Sequence, residues 1–228
     1  IVVVIITIIL LIGLVIWLTR DNTQRDLYET VRLAMDQKVR EEIDRKGVAR
    51  SQIVILEALL KLRQVCCDPR LVKSLSNKKL TAGSAKLIDL MQMVEDLLEE
   101  KRKILVFSQF TELLELIADA LSALRLPFLS LTGNTRPAQR GEVVKRFQSL
   151  EVPVLLVSLK AGGVGLNLTA ADTVIHMDPW WNPAAEDQAM GRAHRIGQLR
   201  PVTVYRLVTA GSIEERIIEL HRDKRSLA

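Results

Sequence analysis

Two arginines near the C-terminus have the spacing of a phosphate clamp. Arg192 and Arg195 are three residues apart and Gln188 precedes them by one turn, so on a helix the three side chains share one face. Two guanidinium groups and an amide directed together would bind phosphate oxygens. In phosphoryl transfer, an arginine presented to a nucleotide held by another domain stabilises charge on the γ-phosphate. The alternative is a solvated basic helix edge, which would not require the bracketing glycines Gly191 and Gly197.

Polar and glycine-rich loops follow three predicted strands, at residues 108–111, 132–135 and 158–167. The carboxyl ends of parallel strands meet at one edge of a sheet, where ligands of such sheets bind. Small residues there allow backbone N–H groups to approach an anion. One such loop is ordinary turn chemistry, whereas three at the same edge favour phosphate binding.

Several parts of a complete nucleotide site are missing from the sequence. The glycine loop at 162–165 is not followed by the Lys-Ser/Thr pair of a P-loop, and it lacks the pattern of a dinucleotide site. Asp172 and Asp178 flank one strand and form no acidic cluster for Mg²⁺. A chain of this kind that works on ATP would supply only part of the site.

From residue 101 onward, short apolar runs alternate with amphipathic stretches. Strands are predicted at 104–107, 128–131, 154–157, 173–177 and 202–208, and helices at 111–124 with Thr111 as the cap, up to Gln148, from Pro183 and from Ser212. Apolar strands joined by helices predict an α/β fold, with a doubly wound, mainly parallel sheet covered on both faces.

Residues 22–100 have a helical pattern and contain no candidate catalytic cluster. We expect a helical appendage that packs against a neighbour. Its three predicted helices carry apolar faces at Leu27, Val31, Met35 and Val39; at Ile53, Leu56, Leu60 and Val65, between Ser51 and Pro69; and at Leu87, Leu90, Met91, Val94, Leu97 and Leu98, after Ser84.

The first 18 residues carry no charge. As a helix they would extend about 27 Å, close to the thickness of a bilayer core. However, Ile and Val dominate and favour strands in water, and no basic residue precedes the segment. A membrane anchor, buried strands and a leader foreign to the rest of the chain all remain open for residues 1–21.

Composition places the chain among globular proteins with an excess of positive charge. The 228 residues are 48% hydrophobic and 4% aromatic, and 32 Lys and Arg against 27 Asp and Glu give a net charge of +5, which suits a polyanionic partner. Two adjacent cysteines, Cys66 and Cys67, build neither a disulfide framework nor a four-ligand zinc site. We therefore predict no metal site in the chain and a reducing compartment.

Four segments resemble the second RecA-like lobe of helicase superfamily two, and specifically that of the Swi/Snf-type DNA translocases. They are KILVFSQF, LTGNTRPAQR, LLVSLKAGGVGLNLTAADTVIHMDPWWNP and DQAMGRAHRIGQ. The segment RQVCCDP also resembles the LRQ-x-C-x-H-P segment of the family, with Asp68 where His is usual. Gly191 stands where many members have Asp. The resemblance implies a helicase C-terminal lobe at 101–228, after the helical appendage.

The resemblance also implies roles for individual residues. Arg192 and Arg195 would be arginine fingers, and Gln188, Gly165 and Asn167 would line the nucleotide side of the cleft. The residues expected to grip the phosphates of one DNA strand are Ser108, Gln109, Thr132, Gly133, Lys160 and Gly162. Trp180 or Trp181 would stack on DNA or, as we favour, pack in the core or between lobes. His194 would bridge to the nucleotide or cap locally, and we expect His176 to be a hydrogen-bonded core residue.

The implied cofactors are ATP and Mg²⁺, bound mainly by the N-terminal RecA-like lobe of the same full-length protein. The implied partners are double-stranded DNA and a protein substrate on that DNA, in the cytoplasm with the nucleoid or in the nucleus, and we expect no membrane partner. The sequence therefore predicts the second motor lobe of an ATP-dependent translocase, nearly inactive alone. A non-catalytic DNA- or protein-binding module, a membrane-anchored regulatory protein and a strand-separating helicase lobe are the alternatives.

Overall fold

A six-stranded, all-parallel sheet forms the centre of the molecule. The computed structural model describes residues 12–18, 22–72, 84–149, 151–159, 161, 166–191 and 201–226. In these residues the sheet order is β1-β6-β5-β2-β4-β3, and each strand pairs in parallel with its neighbours. The strands are β1 Ile12–Leu18, β2 Ile104–Ser108, β3 Phe128–Leu131, β4 Val154–Ser158, β5 Thr173–His176 and β6 Thr203–Thr209. The α/β fold class predicted from the sequence is confirmed, and the ends of the five predicted strands differ by no more than one residue.

Seven helices occur in the described residues. They are α1 Asn22–Lys46, α2 Gln52–Cys67, α3 Ala85–Glu99, α4 Thr111–Ala123, α5 Pro137–Gln148, α6 Pro183–Met190 and α7 Ile213–Ser226. Short 3₁₀ turns follow α1 at Val48–Arg50 and α2 at Pro69–Leu71. Five of the helices follow a strand directly or after a short loop, as crossover connections between parallel strands require.

Both faces of the sheet are buried, because successive side chains of a strand point to opposite sides. Ile104 and Val106 of β2 belong to a core that also contains apolar residues of α3 and α4. Leu105 and Phe107 belong to a second core, with Phe147 of α5. Helix α3, assigned from the sequence to the appendage, therefore packs in the same core as the sheet.

Helices α1 and α2 pack against each other around a smaller cluster, which contains Tyr28, Val31, Leu62, Val65 and Cys66. The apolar face predicted for α2 is wrong in three positions. Ile53, Leu56 and Leu60 are 81%, 63% and 44% exposed, because the helix turns its Ala58, Leu62, Val65 and Cys66 side inward.

The starts of two helices test the predicted caps. The Ser84 hydroxyl accepts a hydrogen bond from the Leu87 N–H at 3.1 Å, so Ser84, after which the third helix is predicted, is the cap of α3. Thr111 is not a cap, because it is already the first helical residue of α4 and Phe110 holds the cap position. The Phe110 N–H instead donates to the Ser108 hydroxyl at 3.0 Å.

The apolar leader contributes an edge strand. β1 pairs with β6 along its whole length, from Ile12 opposite Thr203 to Leu18 opposite Thr209, which agrees with the strand alternative for this part of the leader. Residues 1–11 and 19–21 lie outside the described residues. None of the helices described is both long enough and apolar enough to cross a bilayer.

Candidate functional site

The polar loops predicted to bind phosphate emerge at one edge of the sheet. Ser108 at the end of β2 is the register partner of Ser158 at the end of β4, and Leu131 of β3 lies opposite Val157. On the other side of β2, Phe107 lies opposite His176 of β5. Strands β3 and β4 thus lie on one side of β2 and strands β5 and β6 on the other, and ligands of open α/β sheets bind at the carboxyl end of such a switch point.

The loop after β2 is fixed by a buried carboxylate. The Ser108 hydroxyl donates to Asp178 Oδ1 at 2.6 Å, and the Gln109 N–H donates to the same oxygen at 3.3 Å. Both Ser108 and Asp178 are buried. Burial raises the pKa of the Asp178 carboxyl, opposed by Arg63 and the Ser108 hydroxyl. In this conformation the Ser108 hydroxyl holds the loop in place and does not face solvent.

The loop after β3 is an open, self-contained turn. The Thr132 N–H donates to Thr135 Oγ1 at 3.0 Å, and the Asn134 N–H donates to Thr132 Oγ1 at 3.3 Å. Gly133 is exposed, and a Cβ placed on it would meet no atom of the chain within 4 Å. Internal packing therefore does not require glycine at this position, although a closely approaching ligand would.

Two of the residues predicted to line the nucleotide side of the cleft, Gln188 and Asn167, are described, and both are exposed. Gln188 lies on α6 and Asn167 precedes the buried Leu168. The carbonyl of Asn167 accepts a hydrogen bond from Gln148 Nε2 at 3.0 Å. Gly165, Lys160, Gly162, His194 and the two arginines Arg192 and Arg195 lie outside the described residues.

The turn after β5, at residues 177–180, is held by buried charged side chains from three helices. Lys86 of α3 donates to the Met177 carbonyl at 2.7 Å. Arg63 of α2 donates to the Pro179 carbonyl at 2.7 Å and pairs with the Asp178 carboxylate. Glu186 of α6 accepts the Trp180 N–H at 2.8 Å. These contacts could not be predicted from the sequence, because charges that pair over long distances in the chain leave no local pattern.

Glu186 also connects α6 to the sheet. Its second oxygen accepts a hydrogen bond from Arg206 Nε at 3.0 Å, and its side chain is fully buried. The start of the helix that carries Gln188 is therefore fixed to both β6 and the turn after β5. A Cβ added to Gly191, just beyond α6, would lie 3.4 Å from the Asp187 carbonyl oxygen and 3.6 Å from that of Gln188, which are ordinary contact distances.

His176 is a core residue, as predicted, but it is not hydrogen bonded. Both ring nitrogens are buried without a partner in the described part of the structure, and the ring stacks on Phe107 at 5.5 Å between centroids. Burial lowers the pKa of His176 to about 4. At neutral pH the ring is therefore uncharged and acts as an aromatic packing group.

Asp68, which stands where the family usually has His, keeps the local turn intact. It is buried, and its oxygens accept hydrogen bonds from the backbone N–H, Nε and Nη2 of Arg70, at 2.7–2.9 Å. Asp68 also precedes Pro69 as the cap of a 3₁₀ turn. The carboxylate and the nearby arginine together provide the capping contacts of this segment.

The described residues contain no cluster of metal-ligating side chains. No group of three or more His, Cys, Asp or Glu side chains in them could hold a metal ion. Asp178 is committed to Ser108 and Arg63, and Asp172 lies at the opposite edge, where it accepts the Lys103 N–H at 3.1 Å. In the described part of the chain these two carboxylates are therefore engaged in structural contacts.

Comparison with known proteins identifies the family. The protein-family model of the helicase conserved C-terminal domain matches residues 85–197 of the chain. The C-terminal domain of the Sulfolobus solfataricus SWI2/SNF2 ATPase is 30% identical, with a TM-score of 0.74 over 94% of this chain and 86% of that one. The chain therefore belongs to the Snf2-type helicases, of which it is a C-terminal lobe.

Two further relatives are longer than this chain. The Sulfolobus solfataricus SWI2/SNF2 ATPase core, solved in complex with double-stranded DNA, is 32% identical with a TM-score of 0.78, over 95% of this chain and 44% of that one. An uncharacterized ATP-dependent helicase of Mycoplasma pneumoniae is 37% identical over 201 residues, 85% of this chain. The chain spans about a fifth of the length of that helicase, 19%.

Proposed function

We propose that the chain is the second motor lobe of an ATP-dependent translocase on double-stranded DNA. One observation carries the proposal. The ends of β2, β3 and β4 and the turn that leads into α6 meet at one sheet edge, on both sides of the switch point at β2. This edge can face DNA with one set of loops and a nucleotide with the other. The relative solved with DNA supports the first assignment, and the ATP-dependent helicase supports the second.

On the DNA side, the loops after β2, β3 and β4 contact phosphates of one strand. Gln109, Thr132 and Gly133 contribute from the first two loops, and Lys160 and Gly162 from the third. Ser108 contributes by holding its loop through Asp178. The exposed, uncrowded backbone at Gly133 allows a phosphate to approach closely. Such contacts give affinity that depends strongly on salt and weakly on sequence.

On the nucleotide side, the chain supplies charge to a triphosphate that it does not itself hold. Arg192 and Arg195 act as the fingers, and Gln188, Asn167 and Gly165 line the cleft beside them. ATP and Mg²⁺ are bound mainly by the first RecA-like lobe. When ATP is bound, the guanidinium groups stabilise the charge that develops on the γ-phosphate.

The test is removal of one finger from the full-length protein. Arg195→Ala should lower the turnover number of DNA-stimulated ATP hydrolysis by about a thousandfold or more, while nucleotide affinity stays close to that of the parent. The matched control is Arg216→Ala. That arginine lies on α7 and makes an exposed ion pair with Glu219 at 2.8 Å, so its loss should leave turnover unchanged. Parental turnover in Arg195→Ala would exclude the finger role.

Separated lobes test the division of the site. The isolated chain should hydrolyse ATP hardly at all, and mixing it with a separately expressed first lobe should restore DNA-stimulated hydrolysis. Failure to restore activity, together with retained DNA binding, would favour a non-catalytic binding module. Unwinding of a duplex in a strand-displacement assay would instead indicate a strand-separating helicase.

A further inference from the structure

Arg63 is a buried arginine that extends from α2 to the carboxyl edge of the sheet. Its side chain is 2% exposed, and its contacts lie far away in the sequence: Gln109 is 46 residues distant and Pro179 is 116. Its neighbours Leu62, Val65 and Cys66 already anchor α2 in an apolar cluster. Arg63 itself contacts the loops that follow β2 and β5.

The guanidinium group binds both loops at once. Nη1 donates to Gln109 Oε1 at 3.0 Å, in the loop after β2. Nη2 donates to the Pro179 carbonyl at 2.7 Å and lies 3.4 Å from Asp178 Oδ2, in the turn after β5. The planar fork of arginine can make these bonds in two directions, which a single ammonium group cannot reproduce.

Two aromatic rings lie close to the Arg63 guanidinium group. The Arg63 guanidinium carbon lies 5.7 Å from the centre of the Phe110 ring and 5.5 Å from that of the Trp181 ring, within the range of cation–π attraction. One ring belongs to each loop. Arg63 therefore fixes the distance between the two loops as well as the orientation of each.

Arg63 makes a hydrogen bond that orients the side chain of Gln109. Gln109 Oε1 accepts from Arg63, while its Nε2 is buried without a hydrogen-bond partner in the described residues. The backbone N–H of Gln109 is bound to Asp178, which pairs with the same arginine. A change at position 63 therefore acts on a residue proposed to contact DNA.

We propose that Arg63 is a positioning residue for DNA binding, which sets the Gln109 loop at the spacing that its phosphate contacts require. The proposal rests on the function proposed above. Nothing in it requires Arg63 to contact DNA, from which it is shielded by burial.

The test is Arg63→Lys in the full-length protein. Lysine keeps a positive charge beside Asp178 but has no second arm for Gln109. The DNA concentration that gives half-maximal stimulation of ATP hydrolysis should rise roughly tenfold, the equivalent of one lost charge-assisted hydrogen bond, with turnover at saturating DNA close to that of the parent.

The matched control is Arg102→Lys, at the opposite edge of the same sheet. Arg102 bridges the Thr173 and Thr203 hydroxyls at 3.2 Å each, so its loss disturbs the same sheet without disturbing the loops. It should leave the half-maximal DNA concentration unchanged. If Arg63→Lys folds poorly, Arg63→Gln with Asp178→Asn removes the fork without leaving a buried charge unpaired, and it should weaken DNA binding as Arg63→Lys would.

Coupling to Gln109 distinguishes positioning from general weakening. Gln109→Ala alone should weaken DNA binding. Adding Arg63→Lys should weaken it little further, because both changes remove the same contact between Arg63 and Gln109. Additive effects of the two changes, or a half-maximal DNA concentration in Arg63→Lys equal to that of the parent, would overturn the positioning role but not the proposed function. A full-length parent whose ATP hydrolysis is not stimulated by DNA would overturn the proposed function, and this inference with it.

Discussion

Replacing Lys86 with Met should strongly destabilise the chain. Lys86 is 1% exposed and Glu214 is fully buried. The Lys86 Nζ lies 2.8 Å and 2.7 Å from the two Glu214 carboxylate oxygens and 2.7 Å from the Met177 carbonyl. Burial opposes the charge on Lys86, but Glu214 outweighs it and raises the pKa of Lys86 above its usual value. Methionine fills a similar volume but leaves Glu214 as an uncompensated buried charge.

The expected loss follows from this geometry. Removing one partner of a buried pair costs about 3–5 kcal/mol, against a total stability of about 5–15 kcal/mol for a natural domain. At about 2–4 °C for each kcal/mol in a chain of this size, the unfolding temperature should fall by roughly 6–20 °C. Urea denaturation and thermal unfolding followed by circular dichroism measure both quantities.

The double variant Lys86→Met with Glu214→Gln is the control. It removes both charges, and the new amide can still accept the hydrogen bond that the Thr209 N–H gives to Glu214 at 2.9 Å. It should therefore recover most of the stability lost in Lys86→Met. Folding raises the pKa of Lys86. The stability that this residue contributes is therefore fully present at pH values below its pKa in the unfolded chain, and it is lost only as the pH rises through its pKa in the folded chain. A Lys86→Met chain within about 1 kcal/mol of the parent at neutral pH would refute the reasoning.

Three further outcomes can be measured. Gly133→Ala, at a position with open space and no left-handed φ, should leave stability within about 1 kcal/mol of the parent and, in the full-length protein, raise the half-maximal DNA concentration roughly tenfold; an unchanged value would argue against close phosphate approach. His176, with its pKa lowered to about 4 by burial, binds protons more readily in the unfolded chain, so stability should fall by about 3 kcal/mol between pH 6.5 and pH 4; denaturation at several pH values should show this loss reduced in His176→Phe. Cys66 and Cys67 are fully buried, and burial raises the pKa of the Cys67 thiol, so a thiol reagent should label both only after unfolding; rapid labelling of the native chain would contradict that.

The elements of the sheet could be predicted because their signals are local. Continuous apolar runs gave the five strands of the C-terminal part, and Ser84 before an amphipathic stretch gave the start of α3. The prediction for Thr111 failed because the helix begins at Thr111 itself, one residue earlier than a threonine cap would place it. Phe110 is the cap, and its N–H donates to the Ser108 hydroxyl. The prediction of the buried face of α2 failed for another reason. The helix has apolar residues on more than one side, so only tertiary contacts decide which side is buried.

The leader shows the limit of hydropathy without tertiary context. An uncharged run of Ile and Val fits a membrane span and a buried strand equally well by length and polarity. The deciding feature is the open edge of β6, which is formed about 190 residues later in the chain and offers seven register partners to Ile12–Leu18. The pairing partner of an edge strand cannot be read from the strand itself.

The charges that organise the candidate site escaped prediction because their partners are distant in sequence, yet they explain how its two sides are connected. Arg63 holds Asp178 and Pro179, Lys86 holds Met177, and Glu186 holds Trp180. Breaking a hydrogen bond of a buried charged group is costly, because the charge is then left without its partner, so each contact fixes a position. Through Arg63 the turn at 177–180 is tied to Gln109 on the proposed DNA side, and through Glu186 it is tied to α6 on the proposed nucleotide side. A displacement of α6 that keeps these contacts would therefore move the turn and the DNA-side loop with it.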